Sequence, residues 1–274
     1  MLFLSFMLAA VGLISCQNEK TTKEKDAMPN PVQREEQAKE KARNCDEVHW
    51  TYKDDATGPA HWKDLCDGFS DCGGTAQSPV DILTGEVQSG EKLSAPVFHY
   101  ENSALHIVNN GHTVQFNIDG EQSLDVNGKT YKLLQFHLHA PSEHTVNGKH
   151  YPLEVHFVHG NEDGSLAVIG VLFKEGQSNA FFEQVMTSLP QEKGMKFNSD
   201  LTYDPGVLIP GNTSYYHYKG SLTTPPCSEI VDWYVMKNPL EASAEQLEKW
   251  AALLHHNNRP VQPLNGRIIQ TFEQ

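Results

Sequence analysis

The stretch that most constrains this chain is Gln135-Phe136-His137-Leu138-His139, echoed downstream by Glu154-Val155-His156. Successive side chains along a β-strand point to opposite faces, so His137 and His139 share one face and Phe136 and Leu138 the other. Two imidazoles two residues apart can therefore hold one metal ion from a single strand. Gln135 lies on that same face, and Glu154 shares a face with His156. A ligand histidine needs a partner on its other ring nitrogen, and Gln135 and Glu154 are placed to supply one each. Three neutral nitrogens leave the fourth tetrahedral position of zinc open to water, the arrangement of catalytic rather than structural sites. A lone His-x-His in a strand is more often a pair of surface histidines, so the surrounding residues must decide.

Those surroundings are strand-like. Residues 104–108, 113–119, 133–139, 153–159, 166–173, 215–222 and 229–236 are rich in β-branched and aromatic side chains, and glycine-bearing turns such as Asn127-Gly128 and Asp163-Gly164 separate many of them. Two helices are expected. Ser178 is read as the cap of one running to Leu189, with Phe181, Phe182, Val185, Met186 and Leu189 as its apolar stripe. Ser243 and Gln246 form a capping-box start for a second, in which Leu247, Trp250, Ala251 and Leu254 follow at helical spacing. Mostly strands with a few peripheral helices make an all-β or α+β domain. Residues 49–274 suffice for one large core, and without an internal repeat they do not argue for two.

The formal charge of −14 argues against nucleic acid as a partner, because a phosphate backbone selects a basic surface. Residues 1–15 are almost wholly apolar, too short a run to span a bilayer, and are read as a signal peptide. Leu13-Ile14-Ser15-Cys16 resembles a bacterial lipobox, which implies cleavage before Cys16 and a membrane lipid anchor on that residue. The Lys/Glu/Gln-rich residues that follow, up to 48, have hardly an apolar side chain to offset their ordering entropy. They are read with Cys16 as a polar tether, residues 16–48. Cys45, Cys66, Cys72 and Cys227 remain, and four cysteines can pair in three ways. Disulfides in an exported chain fit an extracytoplasmic location, periplasm or cell surface.

The run Leu133-Leu-Gln-Phe-His-Leu-His-Ala-Pro-Ser-Glu-His-Thr-Val146 resembles the zinc strand of the α-class carbonic anhydrases. Ser221-Leu-Thr-Thr-Pro-Pro-Cys-Ser-Glu229 resembles that family's substrate-site segment. Trp50-Thr-Tyr52, Gly58-Pro-Ala-His-Trp62, Gln77-Ser-Pro-Val80, Asn109-Asn-Gly-His112 and Asn258-Arg-Pro-Val-Gln-Pro-Leu264 match further family motifs, in the family's order. Together they cover nearly all of residues 49–274. The resemblance sharpens the fold expectation to α+β, mainly β: one domain on a large twisted, mostly antiparallel sheet with a few peripheral helices and zinc on the central strands. It also implies a Cys72–Cys227 disulfide, which leaves Cys45 and Cys66 as the other pair.

What the resemblance implies chemically is the reversible hydration of carbon dioxide to bicarbonate and a proton, by hydroxide on zinc held by His137, His139 and His156. Zinc lowers the pKa of bound water to about 7, a value for which carbonic anhydrase is itself the standard illustration. Thr223 and Glu143 match the pair that orients the nucleophile: ionised Glu143 can only accept, so Thr223 donates to it and accepts from the solvent ligand. Thr224 matches a bicarbonate contact. Val158, Val168, Leu222, Val231 and Trp233 match the apolar wall for carbon dioxide, although any one of them alone could be plain core. His112 matches the proton shuttle, and Tyr52, Asn110 and Gln115 the polar wall that orders water, with Gln115 one carbon longer than the family's usual asparagine. His144, His159, His255 and His256 lie off the ligand pattern, and His61 is expected to pack with Trp62. Aromatic sulfonamides are expected to inhibit. Two other readings are a catalytically silent binding domain, which would usually lack one or more of these histidines, and ester hydrolysis as a side activity. Proteolysis is not supported, since no His-Glu-x-x-His occurs.

Overall fold

A computed structural model describes residues 45–274, which belong to one compact unit. The apolar leader, Cys16 and nearly all of the polar tether lie outside the described residues. Ten strands make the main path of the sheet: β1 (Gln88–Ser89), β2 (Ser103–Asn109), β3 (Val114–Asn117), β4 (Lys129–His139), β5 (Leu153–Gly160), β6 (Leu166–Glu175), β7 (Lys196–Tyr203), β8 (Tyr215–Gly220), β9 (Val231–Met236) and β10 (Gln270–Phe272). Their spatial order is β7-β2-β3-β4-β5-β6-β9-β8-β10-β1, and all joins are antiparallel except β6–β9 and β10–β1. The result is one domain on a large mixed, mainly antiparallel sheet. Strands β4, β5 and β6 lie in its middle.

Both faces of that middle are covered, which is why β5 is buried along nearly its whole length and reads apolar apart from its functional residues. On one face Phe116, Phe136 and Phe157 stack across β3, β4 and β5, with centroids 4.6 and 5.0 Å apart. Helix α2 (Ala180–Val185) adds Phe181 and Phe182 to that core, and α3 (Ala244–Leu254) adds Leu247 and Trp250. The other face carries the histidines and a smaller cluster around Val158, Val168, Val231 and Trp233. The two alternating sets read from the sequence thus part into core and site.

Three expectations need correction. Ser178 is not the cap of α2: Asn179 is, its Oδ1 accepting from the amides of Phe181 and Phe182 at 3.1 and 3.2 Å. The Ser178 hydroxyl instead accepts from Gln246 Nε2 at 3.0 Å. The helix also stops at Val185, because Pro190 disfavours helical backbone at Leu189 and the Ser188 amide already turns back onto the Val185 carbonyl. His61 is exposed at the start of α1 (Trp62–Leu65), while Trp62 packs edge-on against Trp50 and Tyr52. The capping box of α3 is present as read, with Gln246 N to Ser243 Oγ at 3.3 Å and Ser243 N to Gln246 Oε1 at 3.2 Å.

Candidate active site

Register builds the site. Three adjacent rows of cross-strand partners share one face: His139–Glu154–Leu172, then Gln115–His137–His156–Gly170, then Asn117–Gln135–Val158–Val168–Trp233. Directly opposed side chains on one face stand close together, so strands β4 and β5 bring the three histidines to one place. Their ligand nitrogens all lie within 4.8 Å of one another. His137 is partly accessible, whereas His139 and His156 are buried. Burial first, and then repulsion from His139 and His156, holds His137 well below its ordinary pKa; burial brings His139 to about 4 and also lowers His156. All three imidazoles are therefore neutral near pH 7, with lone pairs free for a cation.

Each ring is fixed from behind. His137 Nδ1 donates to Gln135 Oε1 at 2.9 Å, and His139 Nδ1 donates to the Asn257 carbonyl at 2.7 Å. His156 sets Nε2 at 2.9 Å from Glu154 Oε1, a bent contact, which turns its Nδ1 toward the other two ligands. Glu154 is itself pinned: Oε2 accepts from the amides of Glu143 and His144 at 2.9 Å each, and Oε1 from His144 Nδ1 at 2.7 Å. Burial alone would raise its pKa, but His144 and His156 hold it well below the usual carboxylate range. A Cβ at Gly170 would stand 2.8 Å from Glu154 Oε1, so the absence of a side chain there makes room for this carboxylate. His144, Glu154 and His156 also cluster within ligand distance, but both ring nitrogens of His144 are already engaged, the second by the Tyr218 hydroxyl at 2.7 Å.

Glu143 is fully buried, and its Oε1 accepts from the Arg259 amide at 2.8 Å. Its Oε2 lies 3.6 Å from His139 Nε2 and 3.9 Å from His156 Nδ1. Burial pushes the carboxyl up to about 7; His156, the Arg259 amide and the Thr223 hydroxyl pull the other way. Among the described residues, His139 Nε2 and Glu143 Oε2 are buried without a hydrogen-bond partner. Orphaned buried nitrogen and oxygen converging on one point are what a metal cation with a solvent ligand would satisfy, so the donor set fits zinc.

The remaining predicted residues fall at various distances from that point. Val158, Val168, Val231 and Trp233 join one buried cluster with Leu222 packed against it, and the Trp233 ring meets His156 edge-on at 4.8 Å. Thr223 is buried and Thr224 half-buried on the loop after β8. The Tyr52 hydroxyl is buried without a hydrogen-bond partner among the described residues. Its pKa is raised well above normal by burial and then by the Glu143 charge. Gln115 Nε2 donates to Asn117 Oδ1 at 2.7 Å. Asn110 turns its oxygen to the amides of His112 and Thr113, both at 2.9 Å, and so shapes the turn. His112 lies flat on Trp50, centroids 3.7 Å apart, and burial with Lys193 and His49 lowers it to about 4. Cys72 pairs with Cys227 and Cys45 with Cys66. Disulfides persist in oxidising compartments, which marks the chain as extracytoplasmic. No helix among the described residues is long and apolar enough to cross a membrane.

Sequence reading missed Asn257, because it acts on His139 through a carbonyl that any residue carries. It also missed Trp50 as a platform for His112, and the role of Gly170. Arg259, inside a quoted motif, proves to be a buried clamp. Its Nη1 donates to Gln77 Oε1 and the Ser78 carbonyl at 2.8 Å each, its Nη2 to the Cys72 carbonyl at 3.2 Å, and it lies over Trp62.

With this geometry in view, the family model of eukaryotic-type carbonic anhydrases matches residues 57–273. The chain belongs to the α-carbonic anhydrase family. A carbonic anhydrase of Pectobacterium atrosepticum is 42% identical over 226 residues, which are 82% of this chain and 91% of that one. One of Neisseria gonorrhoeae is 40% identical over 81% and 87% of the two chains. Among solved structures, the Thermovibrio ammonificans α-carbonic anhydrase in complex with sulfanilamide superposes with a TM-score of 0.78. It is 47% identical and covers 81% of this chain and 99% of its own. Dioscorin complexed with ascorbate has the same fold, with a TM-score of 0.76, 31% identity and coverage of 82% and 98%. Membership makes the chain an enzyme of the carbonic anhydrase type, and its family reaction is carbon dioxide hydration.

Proposed function

We propose that this protein hydrates carbon dioxide reversibly to bicarbonate and a proton with zinc held by His137, His139 and His156. The observation that carries the reading is the convergence of three neutral imidazoles within 4.8 Å beside the buried Glu143 carboxylate. Bound zinc would act as a Lewis acid that makes water a nucleophile near neutral pH. The chain's own residues do the rest. In its ionised form Glu143 accepts from the Thr223 hydroxyl, whose oxygen is then left to accept a hydrogen bond from the attacking solvent and aim its lone pair. Val158, Val168, Leu222, Val231 and Trp233 offer carbon dioxide, which has no charge to satisfy, an apolar wall. Thr224 is the contact for bicarbonate. His112 carries the proton outward: lying on Trp50 it is a poor acceptor, with a pKa of about 4. Turned off the ring toward the cavity, it regains a value suited to a shuttle. Tyr52, Asn110 and Gln115 line its path.

The N-terminal residues complete the proposal as a cleaved signal peptide (1–15), a lipidated Cys16 opening a polar tether (16–48), and a catalytic domain (49–274) held at a bacterial membrane in the periplasm or on the cell surface. Aromatic sulfonamides are the expected inhibitors. Stopped-flow carbon dioxide hydration before and after chelation, with metal analysis, tests the catalytic claim. One zinc per chain and chelator-sensitive activity are expected, and full activity in metal-free protein overturns it. Mass spectrometry of membrane-extracted protein should find acylated Cys16 and no residues 1–15.

A further inference from the structure

A cavity of about 510 Å³ opens beside Trp50 and His112. Its basic lining is Lys53, Lys193, His49, His112, His255 and His256, and no Asp or Glu of the described residues lines it. The whole chain carries 35 acidic side chains against 21 Lys and Arg, so this wall runs against the protein's own charge. Among the described residues neither Lys53 nor Lys193 makes an ion pair, whereas six other lysines do. Asp54 and Asp55 follow Lys53 in the chain, but neither lines the cavity, and Asp55 is engaged by Thr51 and Thr57. The arrangement is a cationic wall with no carboxylate in its lining.

The wall is also held in place. Asn257, just past His256, donates from Nδ2 to the His112 carbonyl at 3.0 Å and to the Leu138 carbonyl at 2.8 Å, tying the cavity to the ligand strand. The Lys193 stem lies over Gly111, where a Cβ would come within 2.6 Å of Lys193 Cδ. His255 and His256 hold consecutive left-handed backbones, φ 53° and 58°, which is costly for two residues other than glycine and recurs at functional sites.

We propose that this cavity docks a divalent phosphate-type oxyanion, which takes the proton that His112 brings out of the catalytic cavity; the second half rests on the shuttle role given above. Lys53 and Lys193 supply charge-assisted donors, and His49, His255 and His256 add further N–H groups. A dianion here offsets the repulsion that Lys193 and His49 exert on His112 and so favours its imidazolium. The step balances simply. The imidazolium N–H breaks, the proton passes to a phosphate oxygen, and monohydrogen phosphate leaves as dihydrogen phosphate. The lost charge weakens the lysine contacts and speeds exit.

The test uses the zinc-loaded full-length chain. Imidazole NMR titrations are run with sodium sulfate, sodium phosphate or neither, at constant ionic strength. Either anion should raise the His112 pKa by about one unit, saturably, and Lys53→Ala/Lys193→Ala should raise the half-saturating concentration about tenfold. With phosphate as sole buffer, kcat should saturate with phosphate and the double variant should need about tenfold more, while kcat/KM and kcat in imidazole buffer stay unchanged. No pKa response to either anion, or equal half-saturation in the variant, overturns the docking site. Anion binding with a kcat indifferent to the variant overturns the proton-accepting step. Binding intact but no hydration in any buffer overturns instead the catalytic reading on which that step rests.

Discussion

Gly170 shows how one missing side chain makes room for the carboxylate behind a candidate metal site. Glu154 cannot retreat from a new methyl group, because two backbone amides and His144 hold its oxygens. Gly170→Ala should therefore push the carboxylate off His156, weaken zinc affinity about 10- to 100-fold, and leave the fold intact. Chelator-competition rates will measure it, and wild-type zinc retention would show that Glu154 yields freely. His112 separates transport from chemistry at the same scale. His112→Ala should depress kcat, leave kcat/KM for carbon dioxide nearly unchanged, and recover in imidazole buffer. A normal kcat in weak buffer would mean that the ring seen against Trp50 never serves as carrier.

Between elements, the decisive joint is where α3 hands the chain back to the sheet. Asn257 accepts the Ala140 amide on Oδ1 at 3.0 Å, donates to the Leu138 and His112 carbonyls, and gives its own carbonyl to His139. Asn257→Ala strips the buried Ala140 amide and the half-buried His112 carbonyl of this partner, while the Leu138 carbonyl keeps the Thr113 hydroxyl, so unfolding of the zinc-free protein should cost about 2 kcal/mol less. Denaturant melts give the stability loss, and a change under ~1 kcal/mol would mean that water replaces the amide. The elements themselves were mostly legible. The capping box at Ser243, the alternation of β4 and the β-branched, apolar runs of β5 and β6 are local signals, and they mark real elements. Strand β7 was not legible, because its residues are mainly polar and exposed at the sheet edge, leaving no alternation to read.

At the scale of the molecule, Cys72–Cys227 closes a loop of 155 residues, for which chain entropy assigns up to ~5 kcal/mol. Cys227 follows the segment bearing Thr223, so reduction should lower both melting temperature and kcat/KM. Calorimetry and hydration assays with and without reductant check this, and an unchanged kcat/KM would uncouple the bridge from the site. Acid should destabilise the fold through His159, buried between the Tyr100 hydroxyl and the Ala167 carbonyl. Burial lowers its folded pKa from 6.5 to about 4, so the unfolded chain binds the proton more readily. Its contribution, ~3 kcal/mol, is whole above the unfolded value and is lost as pH falls through that window. Denaturation of His159→Gln should show a flatter pH profile than wild type between about 4 and 6.5, and parallel profiles would remove His159 from acid sensitivity.

The residue alternation of each segment determined by itself that His137 and His139 would share one face and Glu154 and His156 another, because side-chain direction in a strand is a local property of the backbone. The same locality made Gln135 legible as a partner of His137. Long-range matters depended on register and loop closure. Only the folded sheet set His156 opposite His137 rather than one residue away, a slip that would have turned every side chain to the other face. Only folding brought the Asn257 carbonyl, 118 residues away, onto His139, since a backbone oxygen leaves no mark in residue type. The cationic cavity beside His112 was equally hidden. Its wall is assembled from four segments far apart in the chain, and charge adds up by distance in space, not along the sequence.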